Sequence, residues 1–482
     1  MAQRAGRFTA MVAIACVAML LGACGSTTQG RASSPLYDPF KAGGLPAKDG
    51  PSGIREGAPA PTGTVENTNG GEEDRLALLS VNDIEDYWRQ QYSESLQGEF
   101  TPVQTLVSYD SQDPASPTLC GDSTYDSPNA FYCPPRDLMA WDRGQLIPIG
   151  QQFFGDVSVA GVLGHEYGHA VQVMADLVGE STPGLVWEQQ ADCFAGNYIR
   201  WVAEGESPRF ELSTGDGLNH LLAGLLTLRD PTYGPDEAAD ISEGHGTALD
   251  RISSFQMGFT GNPSDCAKID EAEIAQRRGD LPLTLPVDGY GAVASGDIPL
   301  DEDVVTQFVD ILGEVYQLNE RPALSFDAPQ CANAQMTPPA SYCPDSNTIF
   351  VNMPALVEMG TPAGPSDYVL LQGDNTAFSV VTSRYALAVQ REHGDATLDS
   401  PAAALRTACL TGVAQAAMSN PASDLGLTLT AGDIDEAVAG LLTNGLAASN
   451  VNGETVPAGF TRIIAYRSGL SGDRDLCYAR FK

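Results

Sequence analysis

The chain has 482 residues with 26 Lys and Arg against 62 Asp and Glu, which gives a formal net charge of −36. Hydrophobic residues make up 43% and charged residues 18%, a composition that can form real apolar cores and excludes a wholly disordered chain. The acidic balance argues against a nucleic-acid partner and against polybasic binding to anionic lipid, because both require clustered Lys and Arg. We interpret the charge as a solubilising surface. At about 150 residues per domain, the length predicts two or three folded units.

The first residues are typical of a secretory signal. Arg4 and Arg7 precede an apolar run over residues 8–23, which is too short for a membrane-spanning helix. Residues 21–24, LGAC, resemble the lipobox of bacterial lipoproteins, in which the Cys becomes the lipid-modified first residue. We therefore expect residues 1–23 to be a lipoprotein signal peptide and Cys24 to anchor the chain to the extracytoplasmic face of the cell membrane. The alternative is an ordinary signal peptide with a chance Cys24.

A stretch rich in Gly, Pro, Ser, Thr and Ala follows, up to about residue 71. Because it has few large apolar residues, its burial cannot offset the entropy lost on ordering. The sequence predicts that residues 24–71 are a flexible tether.

Five landmarks recur in the same order in the two halves of the remaining chain. The segment at residues 120–134 is echoed at 331–344, a short strand-like run follows each copy, and residues 155–172 align without gaps on 373–390. The other two landmarks are the cysteine motifs ADCFAG and TACLTG and the Arg-Ile, Gly and Cys pattern shared by residues 251–266 and 462–477. We interpret the chain as two copies of one domain, at residues 72–288 and 289–482.

The repeat also limits the disulfide pairing. Eight of the ten cysteines remain once Cys16 and Cys24 are set aside, and an oxidising compartment makes disulfides the default. Four cysteines in each half allow three pairings per half. The favoured pairs are Cys120–Cys133, Cys193–Cys266, Cys331–Cys343 and Cys409–Cys477.

The most informative motif is HEYGH at residues 165–169. Apolar residues recur around it at spacings of three and four, which predicts a helix starting near Asp156. On that helix His165 and His169 lie one turn apart on one face, so both imidazoles can reach one metal ion. Glu166 lies about 100° round the helix from His165, where it can touch a metal-bound water without binding the metal. The alternative is that both histidines lie on a buried face and bind nothing.

A second helical run begins near Leu185 and contains Glu188 and Asp192, whose spacing of four places them on one face. Two His and one carboxylate leave the fourth position of a tetrahedral zinc site open, which is typical of a catalytic site. Asp192 is suited to accept a hydrogen bond from Nδ1 of a metal-binding His.

The segments HEYGHAVQ and EQQADCFAG resemble the putative neutral zinc metallopeptidase family, and the lipobox suggests its actinobacterial lipoprotein members. The resemblance extends from residues 120–134 through the HGT motif at 245–247 to Arg251, and the wider ligand pattern resembles thermolysin-like gluzincins. It implies one Zn²⁺ per chain, held by His165, His169 and Glu188. It also implies Glu166 as catalytic base and hydrolysis of peptide bonds.

The second copy has lost every one of these groups. At the aligned positions His165, Glu166, His169, Glu188 and Asp192 are replaced by Ser383, Arg384, Leu387, Ala404 and Ala408. We therefore expect an α+β fold with two tandem copies of a mainly helical zincin-like domain carrying a small edge sheet, the second copy degenerate and without zinc.

Two further features could have a role in catalysis. His245 precedes a predicted helix and could donate a hydrogen bond to a developing oxyanion, or it could cap or pack. Residues 138–141 could form a sheet edge that pairs with an extended peptide substrate, or an ordinary core strand.

These features predict a membrane-anchored, extracytoplasmic zinc metallopeptidase in which zinc activates a water and Glu166 accepts its proton. The partners would be a peptide or protein substrate in the cell envelope and the membrane at Cys24, with no nucleic acid. One alternative is a non-catalytic binding or assembly lipoprotein of the cell envelope with a structural zinc. Another is hydrolysis of a non-peptide amide.

Overall fold

A computed structural model of the chain describes residues 34–237, 239–287, 293, 296–327, 330–362, 371–394, 397–420 and 422–482. The fold is α+β, as predicted, with long helices around small sheets. The helices are α1 (Glu72–Ser95), α2 (Leu146–Phe154), α3 (Asp156–Met174), α4 (Gly184–Ala203), α5 (Asp216–Thr227), α6 (Ala248–Thr260), α7 (Pro263–Cys266), α8 (Glu271–Arg278), α9 (Glu302–Tyr316), α10 (Met353–Met359), α11 (Asp374–His393), α12 (Pro401–Ser419), α13 (Ala431–Thr443), α14 (Gly459–Leu470) and α15 (Arg474–Arg480). The strands are β1 (Lys41–Ala42), β2 (Leu45–Pro46), β3 (Gly53–Ile54), β4 (Thr105–Tyr109), β5 (Thr118–Leu119), β6 (Asp122–Ser123), β7 (Ala130–Cys133), β8 (Leu138–Asp142), β9 (Phe210–Glu211), β10 (Ala323–Ser325), β11 (Ala340–Cys343) and β12 (Thr348–Val351).

Three strands of the N-terminal half form a small sheet in the order β4-β8-β7. Strand β4 runs parallel to β8, with Thr105 opposite Leu138, and β7 runs antiparallel to β8, with Cys133 opposite Leu138. Every residue of β8 is buried. The interpretation of residues 138–141 as a sheet edge is therefore wrong, because β4 and β7 occupy both hydrogen-bonding sides of this strand.

Helices α3 and α4 pack closely against each other. Helix α3 begins at Asp156, after Gly155, whose φ of 83° is rarely adopted by residues with a side chain. Helix α4 begins at Gly184, one residue before the predicted start. A Cβ at Gly168 would lie 3.0 Å from the Cα of Ala191, so glycine permits the two helix backbones to approach. The helix turns on either side of Gly168 and Ala191 therefore face each other.

The C-terminal half has the same arrangement of strands and central helices. Its sheet has the order β10-β12-β11, again with one parallel and one antiparallel pair. The Gln172 amide of α3 donates to the carbonyl oxygen of Trp187 in α4 over 2.7 Å. In the same way, the Gln390 amide of α11 donates to the carbonyl oxygen of Ala403 in α12 over 3.3 Å. Each glutamine thus links the first helix of a pair to the first turn of the second.

A second close crossing also occurs in both halves. A Cβ on Gly258 in α6 would collide with the carbonyl oxygen of Cys193, and a Cβ on Gly469 in α14 would collide with that of Cys409. The α4–α6 and α12–α14 contacts therefore depend on glycine at aligned positions.

The disulfides join the predicted partners. The structure contains Cys120–Cys133, Cys193–Cys266, Cys331–Cys343 and Cys409–Cys477. All eight of these cysteines lie in the described part of the chain, and each bridge stays within one half. The pairing prediction is confirmed.

Residues 35–482 form one compact unit in which the two halves share an apolar core. Helix α13 of the C-terminal half packs against α5 and α6 of the N-terminal half. The Asp435 carboxylate of α13 accepts a hydrogen bond of 3.0 Å from the backbone N–H of Ala248, the first residue of α6. The predicted boundary between residues 288 and 289 lies outside the described residues and stays a prediction.

The prediction of a flexible tether is wrong for residues 35–71. Gly53 and Ile54 pair with β9, and the Arg55 guanidinium donates to the carbonyl oxygens of Ser207 and Phe210 at 2.9 and 2.8 Å. Ala42 is fully buried. The segment gains its order from backbone pairing and arginine hydrogen bonds with the folded domain, and composition does not record such contacts.

The predicted signal peptide at residues 1–23, Cys16 and the lipidation site Cys24 lie outside the described residues. Within the part of the chain that is described, the helices are too short or too polar to cross a bilayer.

Candidate metal centre

Three predicted ligands come together where α3 faces α4. One nitrogen or oxygen atom from each of His165, His169 and Glu188 lies within 4.8 Å of the other two. The Nε2 atom of His165 lies 3.0 Å from Oε2 of Glu188, and Nε2 of His169 lies 3.5 Å from Oε1. Their side chains are only 6%, 13% and 17% exposed, so the three groups meet in a largely dry site.

Local helix geometry explains this meeting. The two histidines are one turn apart on α3, and Gly168 between them allows α4 to approach. Glu188 lies one turn before Ala191, the residue that Gly168 contacts. The carboxylate therefore projects across the helix crossing toward both imidazoles.

The other nitrogen of each imidazole has a protein acceptor. Nδ1 of His165 lies 2.8 Å from Oδ1 of Asp192, and Nδ1 of His169 lies 2.9 Å from Oε1 of Gln172. Because both partners are oxygen acceptors, the hydrogen of each neutral ring is on Nδ1. The Nε2 lone pairs then point at the Glu188 side of the site, as metal ligation requires.

Asp192 is itself held by a buried arginine. The Arg251 guanidinium, 1% exposed, donates from Nε to Oδ2 over 2.9 Å and from Nη2 to Oδ1 over 2.7 Å. Burial alone would raise the pKa of Asp192, but the charges of Arg251 and His165 lower it below its usual range. Asp192 therefore remains a carboxylate and a strong acceptor for the imidazole.

Glu188 carries the clearest sign of a missing partner. Its Oε2 atom is buried and has no hydrogen bond among the described residues, although His165 lies close to it outside hydrogen-bonding alignment. Burial would raise the pKa of Glu188, but the close approach of His165, and then the charge of His169, lower it well below its usual range. A buried carboxylate beside two imidazole lone pairs is a donor set that suits zinc.

Glu166 lies beside this cluster and is not part of it. Its side chain is partly buried, and no hydrogen bond among the described residues engages its carboxylate. Burial raises the pKa of Glu166 to about 7; His165 opposes the rise, and the charge of Glu188 adds to it. A free carboxylate with a pKa near neutrality can accept and release a proton.

His245 also reaches the cluster, as the sequence suggested. Its Nε2 lies 3.6 Å from Oε2 of Glu188, and its Nδ1 lies 3.3 Å from Oδ1 of Asp230. The ring is 49% exposed, so it borders solvent on the open side of the site. Asp230 also accepts the backbone N–H of His245 over 3.0 Å, which fixes both the main chain and the ring.

Sequence reasoning assigned no role to three residues that orient this site. Gln172 lies three residues after His169 on the same helix, a spacing that could have indicated the contact. Arg251 recurs in the repeat as Arg462, which indicated that the position matters but did not indicate that Arg251 pairs with Asp192. Asp230 has no sequence signal, since only the loop conformation brings it to His245.

The start of α6 is fixed by a second buried carboxylate. Asp250 and Thr247 form a capping box, and Arg278 of α8 lies 2.8 Å from Asp250 Oδ2. Burial would raise the pKa of Asp250, but the hydrogen bond and charge of Arg278 lower it. Because Thr247 follows His245 by two residues, this cap helps to hold the loop at the site.

We predict that Asp250→Asn lowers the free energy of unfolding by about 3 kcal/mol at neutral pH, because it breaks a buried ion pair. A folded-state pKa below the unfolded value of about 3.9 means that the carboxylate stabilises the fold above that pH. Its contribution is lost as the pH falls through the folded-state pKa. Urea unfolding between pH 7 and pH 3.5 should show the difference from the wild type shrinking toward acid.

The exposed Asp236→Asn variant is the matched control, and its stability should follow the wild type at every pH. If Asp250→Asn is less stable than the wild type by the same free energy at every pH, the loss of stability does not come from the ion pair.

We also predict that Asp192→Asn weakens zinc binding about 10- to 100-fold, because the neutral amide is a poorer acceptor for His165 Nδ1. Competition with a zinc chelator of known affinity measures the change, and Glu180→Gln on the exposed surface is the control. Equal zinc affinity in wild type and Asp192→Asn would show that this carboxylate does not help His165 to bind zinc.

Comparisons with known proteins agree with this geometry. Residues 48–269 match a family described as putative neutral zinc metallopeptidase, and this range includes every residue of the site. The cofactor that this family implies is zinc.

Relatives include an uncharacterized protein of Mycobacterium bovis and uncharacterized proteins of Mycobacterium tuberculosis strains CDC 1551 and H37Rv. Each is 27% identical to this chain over 177 residues, which cover 33% of this chain and 60% of the relative. The chain thus spans about 60% of the length of these curated relatives. No solved structure matches the chain significantly. Residues 48–269, just under half of the chain, therefore match the putative neutral zinc metallopeptidase family.

Proposed function

We propose that this protein is a zinc-dependent peptidase whose centre is formed by His165, His169 and Glu188. One observation carries the proposal. Two oriented imidazoles and a buried carboxylate with an unpartnered oxygen meet within 4.8 Å, and the carboxylate of Glu166 is close enough to interact electrostatically with His165 and Glu188. A structural zinc clip would fill its fourth position with another protein ligand, whereas this donor set leaves one position for solvent or substrate.

Bound zinc would lower the pKa of a water molecule to about 7 and polarise the scissile carbonyl. Glu166 accepts a proton from the attacking water as the new C–O bond forms. It then delivers that proton to the amide nitrogen as the C–N bond breaks, which yields a carboxylic acid and an amine. The raised pKa of Glu166 suits both transfers, because the group can be charged before attack and neutral after it.

His245 is placed to stabilise the negative charge that develops on the carbonyl oxygen. The Asp230 carboxylate, 3.3 Å from Nδ1, orients the ring so that Nε2 is the atom that would face the oxyanion. That Nε2 faces the open side of the site, near Glu188.

An extended substrate would pair with strand β7. The outer side of β4 is covered by Glu66, whose backbone bonds to Leu106 and Ser108, and β8 is central. Among the described strands of this sheet, β7 is therefore the one with an open edge, and it packs against α3. Backbone hydrogen bonds to residues 130–133 would align a peptide alongside the site with little demand on sequence.

We further propose that the protein acts outside the cytoplasm, tethered to the membrane by a lipid on Cys24 after removal of residues 1–23. The four disulfides support an oxidising compartment. The substrates would then be peptides or proteins of the cell envelope.

The C-terminal half is, in this proposal, a degenerate copy of the peptidase domain. The matching strand order, the aligned disulfides and the paired glycine crossings support a duplication. Ser383, Leu387 and Ala404 stand at the positions of the three ligands and cannot form a zinc site. Arg384, at the position of Glu166, is buried and donates to Ser449 and to backbone carbonyls.

We predict that Glu166→Gln lowers hydrolysis by about 10²- to 10⁴-fold while one zinc per chain stays bound, because the amide cannot accept the proton. Profiling of a peptide library with zinc-loaded wild type and variant, alongside metal counting, measures both quantities. Glu180→Gln, an exposed substitution of the same kind, should behave as the wild type.

A zinc-loaded wild type that cleaves no member of the library would favour the non-catalytic binding lipoprotein. Unchanged cleavage by Glu166→Gln would remove Glu166 as the base.

We predict that His245→Ala lowers kcat about 100- to 1000-fold without loss of zinc, as expected for one oxyanion donor. Steady-state kinetics and metal counting on the same preparation separate the roles. Loss of zinc would instead indicate that His245 is a metal ligand. An unchanged kcat would indicate that His245 only packs the loop.

A further inference from the structure

A second group of charged side chains lies in the C-terminal half, in a place that the peptidase chemistry does not use. Asp297 precedes α9, Asp374 begins α11, and Glu436 lies on α13. One carboxylate oxygen from each lies within 4.8 Å of the other two. Asp374 and Glu436 are 3% and 7% exposed, whereas Asp297 is exposed and opens the group to solvent.

The negative charge of this group has no protein counter-charge within ion-pair distance. The ion pairs of the described residues include none of its three carboxylates, nor that of Asp433, one turn before Glu436 and 5% exposed. Burial, and then the charges of neighbouring carboxylates, raise the pKa of Glu436 to about 9 and that of Asp433 to about 7. Buried carboxylates that lack a cation are costly, so the group requires either bound protons or a bound cation.

One oxygen of the group lacks an N–H or hydroxyl donor. Oδ2 of Asp374 accepts the backbone N–H of Ile298 over 2.6 Å, whereas Oδ1 is buried and accepts from no N–H or hydroxyl group of the described residues. The Asp374 carboxyl group also lies within hydrogen-bonding reach of Asp433, a contact that requires one of the two to hold a proton. Because the Asp374 side chain is 97% removed from solvent at the start of α11, a cation bound by the group would supply the partner that Oδ1 lacks.

Glu436 is held so that its carboxylate faces the same point. Its Oε2 accepts the backbone N–H of Asn375 over 2.9 Å. Its Oε1 lies against Gly373, where a Cβ would collide with it. Any residue other than glycine at this position would push the carboxylate away from Asp374.

We propose that Asp297, Asp374 and Glu436 bind one hard divalent cation, and that calcium fits best. Calcium binds carboxylate oxygens at 2.3–2.6 Å, so ligands on opposite sides of the ion are about 5 Å apart. Oxygens within 4.8 Å of one another can all bind such an ion. Magnesium demands near-octahedral geometry, keeps several waters and usually takes only one or two protein carboxylates, whereas zinc favours the nitrogen ligands that this group lacks.

Such a cation would join three segments of the C-terminal half: the connection at residues 296–298, the start of α11, and α13. Glu436 is next to Asp435, which caps α6 at Ala248 and lies 3.2 Å from Arg229 in the N-terminal half. The cation would therefore stabilise one of the helices through which the two halves touch.

The test uses the full chain holding one equivalent of zinc, in buffer freed of calcium. Calorimetric titration with CaCl₂ should show one further site per chain, and saturating calcium should raise the Tm by about 2–4 °C. In Glu436→Gln both effects should be lost. Without calcium this variant should be at least as stable as the wild type, because the amide needs no bound proton to be neutral and its oxygen can still accept from the backbone N–H of Asn375. Asp310→Asn, which removes an exposed charge from α9 of the same half, should titrate as the wild type.

Asp297→Asn is a second variant that cannot disturb the core, since Asp297 is exposed, and it should weaken calcium binding at least tenfold. The proposal fails if calcium at millimolar concentration produces neither binding heat nor a change in Tm. A wild-type Tm that rises as the pH falls from 8 to 6, without any calcium effect, would show that shared protons neutralise the group. Equal calcium affinity in wild type, Glu436→Gln and Asp297→Asn would place the ion elsewhere and overturn the assignment.

Discussion

Asp192 is the residue through which the N-terminal half is organised. Its carboxylate is fully buried, accepts two hydrogen bonds from Arg251 on α6, and lies 2.8 Å from Nδ1 of His165 on α3. One buried charge therefore links three helices and sets the tautomer of the neutral His165 imidazole. Removing either Asp192 or Arg251 would leave an uncompensated charge in a dry interior, which explains why geometry and chemistry depend on the same contact.

The C-terminal half shows the same packing without that charge. Ala408 replaces Asp192, and Arg462, at the position of Arg251, donates to the carbonyl oxygens of Leu441, Val456 and Pro457. The two bridges, the glycine crossings and the Gln390 link remain. Disulfides and close backbone contacts can thus maintain the architecture in a half that lacks the histidines and carboxylates of the centre. Helix α13 packs against both halves. Its Asp435 contacts the N-terminal half, and its Glu436 belongs to the acidic group of the C-terminal half.

The failed expectations share one physical cause. The segment at residues 35–71 has the composition of a linker, yet Arg55 and the short strand β3 hold it against the folded domain. The run at residues 138–141 reads equally well as an edge or a core strand, and only its pairing with β4 and β7 decides. Such outcomes depend on partners far away in sequence, which local composition and periodicity do not encode.

The HEYGH spacing, the helical periodicity around it and the internal repeat were sufficient to predict the two helices, the meeting of His165, His169 and Glu188, and the disulfide pairs. They were sufficient because helix geometry is local: residues four apart share a face whatever surrounds them. Tertiary structure alone decided that Arg251 neutralises Asp192, that Asp230 orients His245, and that Asp297, Asp374 and Glu436 meet. These contacts join residues that are 15 to 139 positions apart in the sequence. A short-range sequence pattern does not specify which of such distant side chains meet in the folded protein.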